Sequence, residues 1–379
     1  MKKLRALSPL IPFLSRVFTF VTALFIVTTV FSQSPSVPLG EGSQNQPYLI
    51  SNLNELVWVA NQTNTSGGWS NGKYFLQTAD IDLAVDYSSG SGWIMIGSST
   101  QPFKGYYDGG GHEIQNLFIN RTGTDNVGFF GKIDDGIVVN LKISGTQVHG
   151  NQYVGGLVGS IVGVNALIQG IITDIDIISE STYIGGVAGS MAKGNLLNTG
   201  ALGNVSSSSS YTGGIVGYVN NPFLANIYSK GNIAVTGSHG AIGGIIGRLQ
   251  NEDTISISNV YALGSVEAQG NTTNPGVGGV IGRLTSGESK VFLKHLYSAA
   301  AISANSTSNI GGLVGFSTGN FNYDSIYWDT VATGIQTTFN NLGTPLDSAQ
   351  AQSDSIYKAA GWNFVGSGST GTSDYWGYN

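Results

Sequence analysis

The chain has 379 residues, 16 basic against 22 acidic, a net charge of −6, and only 10 % charged residues, against about 25 % in an average protein. Its 56 glycines show no three-residue period and stand beside only 9 prolines, which excludes collagen and proline-rich linkers; the absence of cysteine excludes disulfides, thiolate zinc sites and thiol nucleophiles. No basic block follows residue 20, which argues against electrostatic nucleic-acid binding, and an apolar share of 41 % supplies a core and argues against general disorder.

The first segment reads as an address. Lys2, Lys3, Arg5 and Arg16 precede an uncharged apolar run over residues 17–31, and Val30-Phe31-Ser32 supplies residues suited to cleavage before Gln33. A basic stretch, a 15-residue apolar run and polar sequence directly after it are the outline of a secretory signal peptide over residues 1–32; a bilayer span needs about 20 apolar residues. Cleavage removes four basic residues and takes the net charge from −6 to −10. The expected product is secreted or held at the cell surface, with no membrane span in the mature chain.

Residues 33–126 are expected to hold an N-terminal cap and the first coils. Asn52 followed by Glu55 reads as a helix start, and Leu53, Leu56, Val57 and Ala60 follow helical spacing. A short amphipathic helix here would plug the first coil, because an open solenoid end exposes apolar side chains and strand edges.

From residue 127 to 330 one motif recurs. It reads Val154-Gly155-Gly156-Leu157-Val158-Gly159, then Ile184-Gly185-Gly186-Val187-Ala188-Gly189, Thr212-Gly213-Gly214-Ile215-Val216-Gly217, Ile242-Gly243-Gly244-Ile245-Ile246-Gly247, Val277-Gly278-Gly279-Val280-Ile281-Gly282 and Ile310-Gly311-Gly312-Leu313-Val314-Gly315, with a degenerate first copy at Val127-Gly128-Phe129-Phe130-Gly131. Spacings of 28 to 35 residues between the last glycines are those of stacked units with small loop insertions. A second stretch follows each copy, as in Asn226-Ile227-Tyr228-Ser229, Asn259-Val260-Tyr261-Ala262, His295-Leu296-Tyr297-Ser298 and Asn140-Leu141-Lys142-Ile143. These segments are short, rich in Val and Ile and bounded by Gly, Asn and Ser, as strands are. Asp174-Ile175-Asp176-Ile177 alternates with period two. A period near 30 accommodates about three short strands and three turns. The fold predicted is all-β: a right-handed parallel β-helix of about seven repeat coils, roughly 35 Å long at ~4.8 Å per coil. The glycine pairs mark a stacked corner, through positive φ and close backbone approach. A phosphate-cradling reading of the glycines fails because no helix follows them.

Residues 331–379 form the expected C-terminal cap, with one short helix within residues 347–360. Trp328, Trp362 and Trp376 lie beyond the last glycine pair, where cap packing outweighs a sugar-stacking role.

The glycine motif together with the Asn-apolar-Tyr stretch resembles the GLUG-repeat proteins of bacterial surfaces. Pro47-Tyr48-Leu49-Ile50, Gly72-Lys73-Tyr74-Phe75-Leu76, Ala79-Asp80-Ile81-Asp82-Leu83, Ile96-Gly97, Pro102-Phe103-Lys104-Gly105 and Tyr107-Asp108-Gly109-Gly110-Gly111-His112-Glu113-Ile114 are similar to their N-terminal segment, and Tyr327-Trp328-Asp329 and Gly361-Trp362-Asn363-Phe364 to their close. The likeness covers roughly residues 40–365. It implies a bacterial, secreted or surface-attached, adhesin-like β-solenoid, and by itself no enzyme. Some members carry a metallopeptidase domain; here the histidines are His112, His149, His239 and His295, and His112-Glu113 lacks the second histidine of such a site. Where the family often has Cys before Tyr, this chain has Ile227, Val260 and Leu296, which implies an inward apolar position.

Parallel β-helices also host polysaccharide lyases and glycoside hydrolases. The carboxylate pairs Asp80 with Asp82, Asp134 with Asp135 and Asp174 with Asp176 meet the 5–10 Å separation such chemistry needs, but outward strand positions are polar by default. Ser238-His239-Gly240 lacks the basic element of pectin hydrolases. The cations of the repeat are chiefly Lys230, Arg248, Arg283, Lys290 and Lys294, and Arg248 and Arg283 follow the glycine motif at equal distance, so they could stack on one face as a solvated ladder. Asp134-Asp135-Gly136 and Asp324 with Asp329 offer oxygen ligands but match no calcium loop, and no metal, cofactor or catalytic residue is assigned. Ice binding would need a threonine column; Thr122, Thr124, Thr173, Thr199, Thr212 and Thr236 do not recur at one repeat position, and residues 206–210 are a single serine run. The reading is a non-enzymatic surface solenoid acting in adhesion, its partner a polysaccharide or a cell-surface protein, with a polysaccharide-active enzyme as the alternative and ice binding third.

Overall fold

The computed structural model describes residues 34–362, apart from 66, 209–210, 239, 252, 271–275, 288–289, 306–308, 320 and 338–341. The expected signal segment, His239 and Trp376 lie outside the described residues. The chain winds into a parallel β-solenoid. One large bent sheet runs its whole length; a seven-stranded and a six-stranded sheet close the other sides. Neighbouring coils pair in parallel and in register.

The reason is visible along the inner face. Phe75, Tyr107, Val138, Ile168, Leu196, Leu224, Ile257 and Leu293 stand one above another on successive coils and are buried. Each such side chain contributes roughly 1.5–3 kcal/mol of transfer free energy, and each coil satisfies its backbone through its neighbours. Ile175 and Ile177 point in and Asp174 and Asp176 point out, as the alternation required. Ile227, Val260 and Leu296 are buried. The seven-stranded sheet holds one strand from each of the seven glycine motifs. A typical coil has four strands rather than three: Ile184–Gly185, Ala188–Met191, Gly194–Ala201 and Val205–Ser207, because each coil gives the large sheet two strands, parted here at residues 202–204.

The glycine motif makes a corner in which two strands meet backbone to backbone. A Cβ on Gly155 would sit 2.6 Å from the Cα of Ala188, and one on Gly189 would sit 2.6 Å from the Cα of Tyr153. In the middle coils the second glycine of the pair faces a small residue across the thin core. A Cβ there would lie 2.8 Å from that of Ala201 for Gly186, 2.9 Å from that of Ser229 for Gly214 and 2.7 Å from that of Ala262 for Gly244. Thr173, Ala201, Ser229, Ala262 and Ser298 form one column. None of the paired glycines has positive φ. Close approach, and not left-handed backbone, is therefore what selects glycine, and that half of the expectation is corrected.

Left-handed backbone occurs instead at the bend of the large sheet. Asn140, Gly170, Asn198, Asn226, Asn259, His295 and Ser325 share this position and all have positive φ. Asparagine tolerates this region because its short amide bonds locally. Here the amides also bond along the axis: Asn226 Nδ2 donates to Asn198 Oδ1 at 2.7 Å, and Asn259 Nδ2 to Asn226 Oδ1 at 2.8 Å.

Both ends are closed by aromatic residues. The helix Leu53–Thr65 starts where Asn52 Oδ1 accepts from the Glu55 amide at 3.1 Å, and Leu53, Leu56, Val57 and Ala60 join the core. In the degenerate first motif Phe129 replaces the second glycine and stacks on Trp93 with centroids 5.6 Å apart. At the far end Trp328 continues the small-residue column, covers Gly312 and donates from Nε1 to the Ile335 carbonyl at 2.8 Å. Trp362 packs with Leu346 and Tyr357 in a second cluster. Trp328 and Trp362 thus both pack at the C-terminal end. The segment 347–360 holds two short helices, Ser348–Ala351 and Asp354–Ala359, in place of the one expected; Asp347 and Ser353 each start a new turn.

Candidate functional site

The carboxylate pairs are spread along the coils, and most of their members serve turns. Asp80 Oδ1 accepts from the Glu113 amide at 2.9 Å and lies 3.3 Å from His112 Nδ1. Asp82 Oδ1 accepts from the Ala84 amide and from Asn116 Nδ2, both at 2.8 Å. Asp134 is paired with Lys104 at 2.6 Å, and Asp135 holds the Asn165 amide at 2.9 Å. Asp176 holds both nitrogens of Asn204, while Asp174 faces outward. Asp329 is buried as the cap of the helix Thr330–Thr333. Asp324 pairs with Lys294 at 3.6 Å, and the Ser325 hydroxyl holds its carboxyl below the usual range. Among the described residues no three acidic or histidine side chains converge on a point that could hold a metal. Thr173, Thr199 and Thr212 are buried, so they build no exterior column.

The described surface opens into a cleft of about 380 Å³ where turns from the seven-stranded sheet enter the large one. This volume is within the range of ligand sites. Asn195, Phe223, Ser256 and Phe292 fill one outward column on four successive coils. Phe223 is 43 % exposed and Phe292 40 %; two coils part them, roughly 10 Å, with the small Ser256 between. Exposed Val164 extends the apolar wall. Lys193, Asn195 and Asp253 add polar groups, and Asp253 is fixed by its amide donating to Asn221 Oδ1 at 3.1 Å. Such a site is concave, part aromatic and part polar. Nothing in the sequence motif points to it, because its residues lie outside both the glycine motif and the Asn-apolar-Tyr stretch.

A second outward face lies on the seven-stranded sheet. Arg248 and Arg283 are in register on adjacent coils, as their spacing suggested. Arg248 donates to the Tyr211 hydroxyl at 2.7 Å and to Gln250 Oε1 at 2.9 Å, and its guanidinium lies 5.2 Å from the Tyr211 ring. That of Arg283 lies 4.7 Å from the Phe316 ring. Tyr153 and Tyr183 stack beside them at 4.8 Å. On the large sheet Tyr228 stacks on Tyr261 at 5.3 Å, with Lys230 over Tyr228 at 5.9 Å. Burial pushes the Tyr261 hydroxyl up to about 12, so this pair is neutral.

No family model matches the chain. A Gly-rich membrane protein, provisionally so named, of Evansella cellulosilytica is 28 % identical over 419 aligned positions, covering 91 % of this chain and 46 % of that one. Halomucin of Haloquadratum walsbyi is 32 % identical over 178 positions, covering 45 % of this chain and 2 % of that one. The chain thus spans less than half the length of the curated relatives it matches. Among solved structures, a Bacteroides ovatus protein provisionally described as an immunoglobulin A1 protease superposes with TM-score 0.56 at 22 % identity, over 75 % of this chain and 86 % of that one. That likeness defines a class of fold, the parallel β-solenoid. Among the described residues no helix is long and apolar enough to cross a membrane.

Proposed function

We propose that the chain is an exported, surface-associated solenoid of the GLUG-repeat kind that binds an extracellular polysaccharide without cleaving it. The observation that carries this is the pair Phe223 and Phe292, two half-exposed rings two coils apart above polar groups. The axial C–H edges of a sugar ring form an apolar face that packs on an aromatic ring, while its hydroxyls bond to the polar rim. Two such rings, two coils apart, are spaced for the first and third sugars of a linear chain. A relative named a Gly-rich membrane protein is compatible with a place at the cell surface. The lyase or hydrolase alternative has less support, since Asp80, Asp82, Asp134, Asp135 and Asp176 are engaged in turns and ion pairs.

The test is a glycan array on the purified protein with reducing-sugar release followed in parallel. Saturable binding without release is expected, lost in Phe223→Ala and Phe292→Ala at an unchanged melting temperature. Release of sugar that Asp174→Asn abolishes would overturn this reading.

A further inference from the structure

We infer that Arg248 and Arg283 form a receptor for the carboxylates of an acidic polysaccharide, separate from the cleft. The outward column of the seven-stranded sheet runs Lys132, Ser160, Ser190, Tyr218, Arg248, Arg283, Phe316 in register. It contains no carboxylate, in a protein whose acidic residues outnumber its basic ones 22 to 16. Neither arginine has an ion pair among the described residues. The two arginines stand one coil apart, and their guanidiniums lean on rings in the coils to either side, Tyr211 and Phe316. The Nε of each is buried and bonded to nothing, so part of each charge has been taken from water without an acceptor, which is unfavourable. The aromatic neighbours Tyr211 and Phe316 hold the two groups in place and exclude solvent on one side. An anion on the open side would meet arginine's planar donor fork, which matches a carboxylate. A polyuronate carries one carboxylate per sugar, about one coil's rise of chain, so a strand laid along the axis would present carboxylates at whole-coil intervals to both arginines. Tyr218 and Phe316 continue the column on either side as ring contacts.

The experiment is titration of the full chain with polygalacturonate at several salt concentrations, with dextran as the neutral polymer and dextran sulfate as the sulfated one. Binding of polygalacturonate that weakens as salt rises is expected, with no binding of dextran at this face. Arg283→Gln should weaken it roughly tenfold or more and flatten the salt dependence. Arg283→Lys should keep the salt dependence and lose only part of the affinity. Arg248→Gln also removes the bond to Tyr211, so its melting temperature is compared first, and Arg283→Gln alone decides the matter if that variant does not fold. The cleft variants Phe223→Ala and Phe292→Ala should leave this binding intact, which separates failure here from failure of the cleft. Equal binding of dextran and polygalacturonate, or an Arg283→Gln protein with unchanged affinity and salt slope, would overturn the inference; binding of dextran sulfate alone would overturn the carboxylate assignment.

Discussion

The thin core makes a strong demand at Gly244, and Gly244→Ala is its test. The added Cβ would lie 2.7 Å from the Ala262 Cβ and 3.1 Å from the Gly279 carbonyl carbon, with the Gly279 carbonyl oxygen closer still. Overpacking by one methyl usually costs about 1–3 kcal/mol. Here the obstacles are a Cβ and a backbone carbonyl, neither of which can rotate aside, so the upper end, about 3 kcal/mol, is expected. The assay is equilibrium denaturation in urea, followed by circular dichroism, with the slope compared between variants because a repeat array can unfold in stages. Gly123→Ala is the control: nothing lies within 4 Å of its Cβ and its φ is not positive, so a gain of about 0.4–1 kcal/mol through the unfolded state is expected. The double variant Gly244→Ala, Ala262→Gly relieves the side-chain contact and leaves the carbonyl one, so it should recover only part of the loss. A Gly244→Ala protein with an unchanged midpoint would refute the claim that close approach selects glycine at these corners.

Three further outcomes are expected. Asn226→Ala should cost about 2–4 kcal/mol in denaturant unfolding, from left-handed backbone without the amide and two axial hydrogen bonds, and Asn226→Gly should recover about 1 kcal/mol of it; equal losses would place the effect in the bonds alone. His295 sits in the asparagine column, its Nδ1 3.0 Å from Asn259 Oδ1 and its Nε2 3.2 Å from the Ala360 carbonyl; burial, with Lys294 adding, lowers its pKa. A lowered folded pKa means that the unfolded chain takes up the proton first, so its contribution is complete above about pH 6.5 and is lost as pH falls toward the folded value. Melting temperature should drop over that window, and His295→Asn should remove this part of the drop; an identical pH profile in the variant would count against it. Trp328→Ala should cost about 3–5 kcal/mol and open the C-terminal coils first, read by hydrogen exchange; uniform exchange along the solenoid would contradict a capping role.

Much of the architecture was legible because it rests on repetition. A glycine pair that returns every 28 to 35 residues can only be stacked, and the small residue that ends each second stretch proved to be the other half of the same contact, as with Gly186 and Ala201. The reason for the glycines was read half wrongly, since sequence alone does not separate a demand for positive φ from a demand for space. The asparagines at 140, 226 and 259 were in view as the start of each stretch, but their ladder depends on a register no single coil specifies. The cleft was hidden for a different reason. Phe223 and Phe292 belong to coils that are not adjacent, and the Ser256 that separates them makes the column look irregular. What matters there is the gap, and periodicity analysis discards gaps.

The hydrogen bonds between coils run along the axis, while the strands run across it. Tension applied between the two ends therefore loads those bonds one row at a time, as in opening a zip, and not many rows together in shear. Coils should peel off singly from whichever cap yields first. Each would release about 30 residues, roughly 100 Å of extended chain, at a force that a single row sustains, and each could rewind on the remaining stack when the load falls. A rod built this way gives under a sudden pull instead of snapping at its weakest contact.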